Sequence, residues 1–303
     1  MFYRQVPSRD IATFIAHFRR RRPDVVHTHA ALSARMAARL CGVPRLLSSR
    51  HCATGDARPA APWRAALYNA CTTCTVATAE AARRELLLEG VRAERIVTIQ
   101  NGIPDVPRLS ERERTELRHA LDFPTDATVV GMCARLHDVK GHDLLLRAAA
   151  ELLPHFPHLR LLFVGDGPAR PTLELLAARL ALGRAVRFVG FRADAYRYQN
   201  LFDINVNASR GTETSCLATS ECMALGIPTV SSDFGGNPEM IREGENGCLF
   251  RSDDARSLSR VLAQLLRAPS AISRMREACR IRYLSDFSLP VMARRYRALY
   301  FGA

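Results

Sequence analysis

Lysine is nearly absent from this chain: of 43 basic side chains, one is a lysine, Lys140, and it lies in the stretch GMCARLHDVKG from Gly131 to Gly141. The apolar residues at its start read as a strand and Gly141 as the opening of a helix, which places Arg135 and Lys140 on the connecting loop. Two cations on such a loop suit a diphosphate, the guanidinium as a bidentate fork and the ammonium as a point charge. A random pair of loop cations is usually just solvated, but a lone lysine in an arginine-rich chain favours a binding role.

A second stretch, Ala208–Pro228 (ASRGTETSCLATSECMALGIP), sets Glu213 and Glu221 eight residues apart with Ser215 and Ser220 between them. With Thr214 or Ser215 as cap, a helix runs to Leu225, Glu213 sits in the loop before it and Glu221 about two turns along. The amides of Ser215, Cys216 and Leu217 then point out of the helix N-terminus, where unpaired N–H groups and the helix dipole hold phosphate. Two carboxylates beside a phosphate held in this way accept hydrogen bonds from sugar hydroxyls more plausibly than they form a hydrolytic acid/base pair. The turns Val164–Pro168 (VGDGP) and Asp233–Glu239 (DFGGNPE) do not match the dinucleotide fingerprint, and each taken alone reads as a tight turn.

The elements that must position these groups alternate between short β-rich runs and longer helical patterns, the signature of parallel sheets covered by helices. In the first half, strands are expected at Val25–His29, Arg45–Ser49, Thr75–Thr78 and Ile96–Ile99, with helices near Asp10–Arg20, Ala31–Leu40, Trp63–Cys71 and Ala79–Glu89. In the second half, strands fall near Thr128–Cys133, Leu159–Val164, Val186–Phe188, Ile204–Asn207, Thr229–Ser231 and Gly247–Phe250, each followed by a helical stretch. The polar segment Pro104–Asp126 separates the two series, so a boundary is expected near Asp122. Beyond Ala255 the chain reads as helical, with a break at Ser288–Pro290 before Val291–Tyr300.

At 303 residues, with 48% hydrophobic and 24% charged side chains, the chain has room for two globular domains, and disordered or fibrous classes are excluded. No stretch approaches a membrane span, and Met1–Asp10 (MFYRQVPSRD) carries charge where a secretory leader needs an apolar run, so a cytoplasmic location is expected. The net charge of +13 suits an anionic partner, and the arginine run Arg19–Arg22 suits peripheral docking on the inner face of an anionic membrane. The charge lacks interleaved aromatics or a known nucleic-acid module, so no nucleic-acid partner is expected. The nine cysteines lack metal-ligand spacing, and the pair Cys71 and Cys74 stands without a second pair, so reduced thiols and no metal are expected.

Together, the Arg135/Lys140 loop, V-G-D-G-P after the next strand, Glu213 and Glu221 before G-I-P-T-V, and a Gly-Gly turn with Glu239 resemble the donor domain of the retaining glycosyltransferases of family 4 (glycosyl transferases group 1). RRPDVVHTH at Arg21–His29 and IQNGIPD at Ile99–Asp105 are similar to that family's first domain. The resemblance implies an α/β fold of two Rossmann-like doubly wound domains facing a cleft (GT-B). Residues 1–122 would form an incomplete acceptor-side domain, 123–289 the nucleotide-sugar donor domain, and 290–303 a C-terminal helix packing back on the first. It implies Arg135 and Lys140 on the diphosphate, Glu213 near donor-sugar hydroxyls, and Glu221 on the ribose. Ser215, Cys216, Leu217 and Gly165 would line the nucleotide, and His51 would meet the sugar from the first-domain side. His27 and His29 are taken as packing or supporting residues. No cofactor is implied beyond the co-substrate, a UDP-sugar, and the acceptor would be a glycan or lipid-linked precursor of cell-surface polysaccharide.

Two departures accompany the resemblance. TSCLATS stands where many members carry Gly-Phe-Gly, which alters that loop's sugar recognition. The first domain begins inside the family's pattern, from which the expectation is an N-terminally shortened chain that oligomerises through an incomplete sheet. A nucleotide-sugar-binding accessory protein with little transfer activity is the alternative, and a sugar-nucleotide epimerase of the same architecture ranks lower.

Overall fold

The computed structural model describes residues 8–29 and 31–302; Met1–Pro7, the larger part of the stretch read as unlike a secretory leader, lies outside the described residues. The chain divides into two units, one holding residues up to Asn101 together with those from Met292 onward, the other Gly102–Val291.

In the first unit, strands β1 (Val25–His29), β2 (Arg45–Arg50), β3 (Cys74–Ala77) and β4 (Ile96–Thr98) form a parallel sheet in sequence order. Helices cover both faces, with Phe18, Val26, Ala37, Ala38 and Leu46 in one core cluster and Ala77, Ala82, Leu86, Val91 and Ile96 in another. Residues from Met292 onward join this unit through Tyr300, whose hydroxyl meets His27 Nδ1 at 2.7 Å, and Tyr296, 3.4 Å from Ser49 Oγ.

The second unit carries a six-stranded parallel sheet of β5 (Thr128–Cys133), β6 (Leu159–Val164), β7 (Val186–Phe188), β8 (Ile204–Asn207), β9 (Thr229–Ser232) and β10 (Gly247–Phe250). Its order is β10-β9-β8-β5-β6-β7. Strands β5, β6, β8 and β9 are buried on both faces, which explains why they read as continuous apolar or β-branched runs. The order reverses between β5 and β8, and ligands of doubly wound sheets bind at the carboxyl edge of such a switch point. Among the described residues no helix is long and apolar enough to cross a membrane.

The expected boundary near Asp122 is corrected to Asn101/Gly102. The segment read as a polar separator contains a helix, Glu111–Ala120, opened by a reciprocal Ser110–Glu113 capping box, and its Leu117, with the flanking Val106 and Leu121, packs against Phe123 and Phe202 of the second unit. The break near Ser288 is a wide helical turn, Tyr283–Phe287, between the helices Pro269–Arg282 and Leu289–Phe301.

Candidate functional site

The loop after β5 ends in a short helical turn, Asp138–Lys140, and Gly141 then opens the helix His142–Leu152 with φ +68°. A methyl group at Gly141 would collide with the Ala208 carbonyl oxygen, so the close approach of this loop to the loop after β8 requires glycine. Arg210 ties the two loops together: its backbone N–H bonds the Val139 carbonyl at 2.9 Å, and its guanidinium reaches the Asp138 carbonyl and the carboxylates of Asp143 and Asp253.

Between the loops Lys140 Nζ lies 2.8 Å from Glu213 Oε2 and 3.4 Å from Ser209 Oγ. Ser209 Oγ donates to the same carboxylate oxygen at 2.8 Å, while Glu213 Oε1 accepts the Thr214 N–H at 3.2 Å. Glu213 is 8% exposed and Lys140 is half-buried, so the carboxylate is compensated where it sits, by one cation and two dipoles. Arg135, on the same loop as Lys140, is exposed.

Below this cluster runs a polar network that the sequence reading did not find. Asn207 Nδ2 donates to Asn237 Oδ1 at 2.8 Å, Asn237 Nδ2 to Ser232 Oγ at 3.0 Å, and Ser232 Oγ to the Ser209 carbonyl at 2.6 Å. The Ser209 N–H returns to Asn207 Oδ1 at 3.2 Å, closing the ring, and all four residues are buried. The available signal was the alternation in INVNAS, where asparagines recur on a strand that otherwise reads as core. The Gly-Gly turn is the seat of Glu213: Gly235 has φ +60°, a methyl there would strike the Glu213 carbonyl, and the Gly236 N–H bonds that carbonyl at 3.3 Å.

The helix that follows is Leu217–Leu225, with Cys216 at its cap and no side-chain cap bond. This corrects the expected cap at Thr214 or Ser215; the Ser215 hydroxyl is buried without a partner among the described residues. Leu217 is the first helical residue, so the amides of Ser215, Cys216 and Leu217 cluster at the end of the helix that carries unpaired N–H groups. Burial pushes the Cys216 thiol up to about 11. Glu221 is half-buried one helical stretch further, and Gln199 Nε2 donates to its Oε2 at 2.7 Å. Burial raises the Glu221 carboxyl above its ordinary range and the Gln199 contact works against that rise. Gly165, with φ +135°, follows β6 and bonds the Gly190 carbonyl at 2.9 Å. Beneath the Lys140 loop, His142 is 1% exposed, both ring nitrogens lack a partner among the described residues, and burial followed by Lys140 holds it down to about 3, hence neutral.

The structure therefore brings Lys140, Glu213 and the helix amides together in the second unit, while His51 belongs to the first. His51 follows β2, and its Nε2 meets His29 Nδ1 at 2.6 Å, a pairing that makes His29 its support. His27 contacts Ser49 Oγ at 2.8 Å besides Tyr300, and burial, with His29, His51 and Arg35 nearby, lowers it to about 4.

The glycosyl transferases group 1 family matches residues 113–282 and the Glycosyltransferase Family 4 model residues 3–105. D-inositol 3-phosphate glycosyltransferase 1 of Catenulispora acidiphila is 31% identical over 310 aligned positions, covering 92% of this chain and 72% of that one. The lipopolysaccharide core biosynthesis glycosyltransferase LpsE of Rhizobium meliloti is 31% identical, covering 60% of this chain and 52% of that one. Across these two and six further relatives the chain spans between 39% and 72% of the relative's length. Among solved structures, HepE of Anabaena in complex with UDP superposes with a TM-score of 0.85 at 21% identity, over 95% of this chain and 81% of that one. That likeness shows the shared two-Rossmann GT-B fold, and the sequence matches show that the chain belongs to the glycosyl transferases group 1 family.

Proposed function

We propose that the protein moves a sugar from a UDP-sugar to a hydroxyl of a glycan or lipid-linked acceptor with retention of configuration. The observation that carries this reading is the cluster of Lys140, Glu213 and Ser209 beside the N-terminus of the helix Leu217–Leu225, at the point where the strand order reverses. In this reading the diphosphate sits against Arg135, Lys140 and the amides of Ser215–Leu217, groups already in place to take up charge as the bond from the anomeric carbon to phosphate oxygen breaks. Glu213 accepts from sugar hydroxyls and Glu221 from those of ribose, with Gly165 beside the nucleotide. The new bond forms from the acceptor oxygen to the same face of the anomeric carbon, and the acceptor proton passes to the departing phosphate oxygen. His51 is a further proposed sugar-contacting residue. A UDP complex in the HepE structure and the polysaccharide-related name of LpsE support the donor and the acceptor class respectively.

The exposed arginines Arg19–Arg22 are proposed to dock on anionic lipid, each contributing about 1 kcal/mol near the surface. Co-sedimentation with acidic vesicles at low salt, reduced when these four are replaced by glutamine, is the expected result. The central test is calorimetric titration with UDP, followed by NMR of the product's anomeric configuration for a panel of UDP-sugars. Micromolar UDP binding and a retained anomer are expected; an inverted product, or absence of UDP binding, overturns the proposal.

A further inference from the structure

Gln199 closes the five-residue helix Ala195–Gln199 and is fully buried, yet half of its amide has no use for the protein: Oε1 finds no partner among the described residues, while Nε2 donates to Glu221 at 2.7 Å. An orphaned buried carbonyl is costly, and an apolar residue of similar length would avoid it. The next residue anchors the backbone from which Gln199 reaches out. Asn200 Nδ2 bonds the carbonyls of Tyr196 and Pro107, and its Oδ1 accepts the Leu109 N–H at 3.0 Å. The reach to Glu221 is therefore fixed at both ends.

We propose that Gln199 is a positioning residue, whose carboxamide N–H sets the orientation and the charge of Glu221 for the nucleoside hydroxyls. The inference rests on the reading of Glu221 as the ribose group. An ionised carboxylate only accepts hydrogen bonds, so the amide with its NH2 toward Glu221 matches the charged form, whereas the reversed amide would match a protonated acid. Burial drives the Glu221 carboxyl toward the protonated form and the Gln199 contact opposes it. The titratable groups facing Glu221 among the described residues are the thiols of Cys133, at the end of β5, and Cys222, on Glu221's own helix. Burial holds Cys133 up to about 12 and Cys222 well above the ordinary thiol range, so both stay neutral while Glu221 titrates. Gln199 is thus the polar group that keeps a half-buried carboxylate in its accepting form.

The experiment compares the parent with Gln199→Met, which keeps length and removes the donor, and Gln199→Asn, which keeps the donor and shortens its reach. Two readouts are taken: the titration midpoint of the Glu221 side-chain carboxyl by 13C NMR without nucleotide, and the UDP dissociation constant from pH 5 to 8. Both variants are expected to move the midpoint upward and weaken UDP binding by roughly tenfold at the acid end of that range, with recovery toward its alkaline end. An unchanged midpoint in both folded variants overturns the proposal. If the midpoint rises while UDP affinity stays parental in these variants and in Glu221→Gln, the positioning role stands and the ribose reading is the one that fails.

Discussion

The two units are both parallel sheets dressed with helices, yet they treat their polar groups in opposite ways. In the second, the strand order reverses between β5 and β8, and the loops that follow these strands hold a buried carboxylate that a lysine and a serine compensate. In the first, described strands follow one another in order, and the carboxyl edge carries a stack of imidazoles, His27 on His29 and His29 on His51, with ring centroids about 5 Å apart. Burial lowers His27 to about 4 and also pulls His51 down from its ordinary value, favouring the neutral ring at these two. The second unit thus nets opposed charges together at its carboxyl edge, whereas the first stacks imidazole rings there.

The sharpest way to break that contrast is at Lys140. Lys140→Ala should lower transfer by about 100-fold or more, through lost stabilisation of charge on the leaving diphosphate, read as UDP release. It should also lower the melting temperature, because Glu213 loses its cation; adding Glu213→Gln should restore stability without restoring transfer. Transfer retained within about threefold would dismiss the diphosphate assignment.

Gly235→Ala tests whether the turn seats Glu213. The positive φ and the Glu213 carbonyl both oppose a methyl group there, so a loss of about 2 kcal/mol or more in denaturant unfolding is expected, against about 1 kcal/mol for Gly244→Ala, where φ is also positive but nothing lies within reach. Comparable losses at both positions would mean that φ alone matters and the contact with Glu213 does not.

A smaller effect separates the two glutamates. Glu221→Gln should weaken UDP binding about tenfold, while Glu213→Gln should leave UDP affinity alone and slow transfer. Equal losses in calorimetry would remove the division of roles.

The mildest test exploits the depressed histidines. His142 titrates at about 3 and His27 at about 4 when folded, against 6.5 unfolded, so the unfolded chain takes up protons first as pH falls. Their contribution is fully present above pH 6.5 and is lost as pH drops toward those values. His142→Leu should flatten part of that slope and, by removing two unpartnered ring nitrogens, stabilise by about 1 kcal/mol at pH 7. His27→Phe should flatten the slope too but cost stability, since His27 is bonded to Ser49 and Tyr300. Stabilisation by both substitutions would show that the first unit's imidazoles are no better satisfied than His142.

Strand positions were legible because strands covered on both faces read as short apolar runs, and LRLLFV at β6 is the plainest case. The helix Glu111–Ala120 was not, since none of its residues is fully buried and Leu117 is its one apolar contact with the core, the rest of its support coming from its capping box and surface pairs such as Arg112–Glu116, so no apolar stripe marks it. Within the site, Lys140, Glu213 and Glu221 stood out by residue type and spacing. Asn207, Ser209, Ser232, Asn237 and Gln199 did not, because a buried polar residue and an exposed one look alike until the partner across the fold is known. The cap fell on Cys216, which has no side-chain cap bond, while the backbone just before it packs closely on the Gly-Gly turn, with the Glu213 carbonyl accepting the Gly236 N–H; such a tertiary contact is invisible to the local preference for serine or threonine.

The first unit is a discontinuous domain, with the second inserted between Asn101 and Met292. During synthesis the inserted unit can fold as an uninterrupted stretch while its host still waits for Tyr296 and Tyr300, which reach back to Ser49 and His27. The residues that complete the first unit are thus made only after the whole of the inserted one, and a chain stalled near Val291 would carry a finished second unit on an unfinished host.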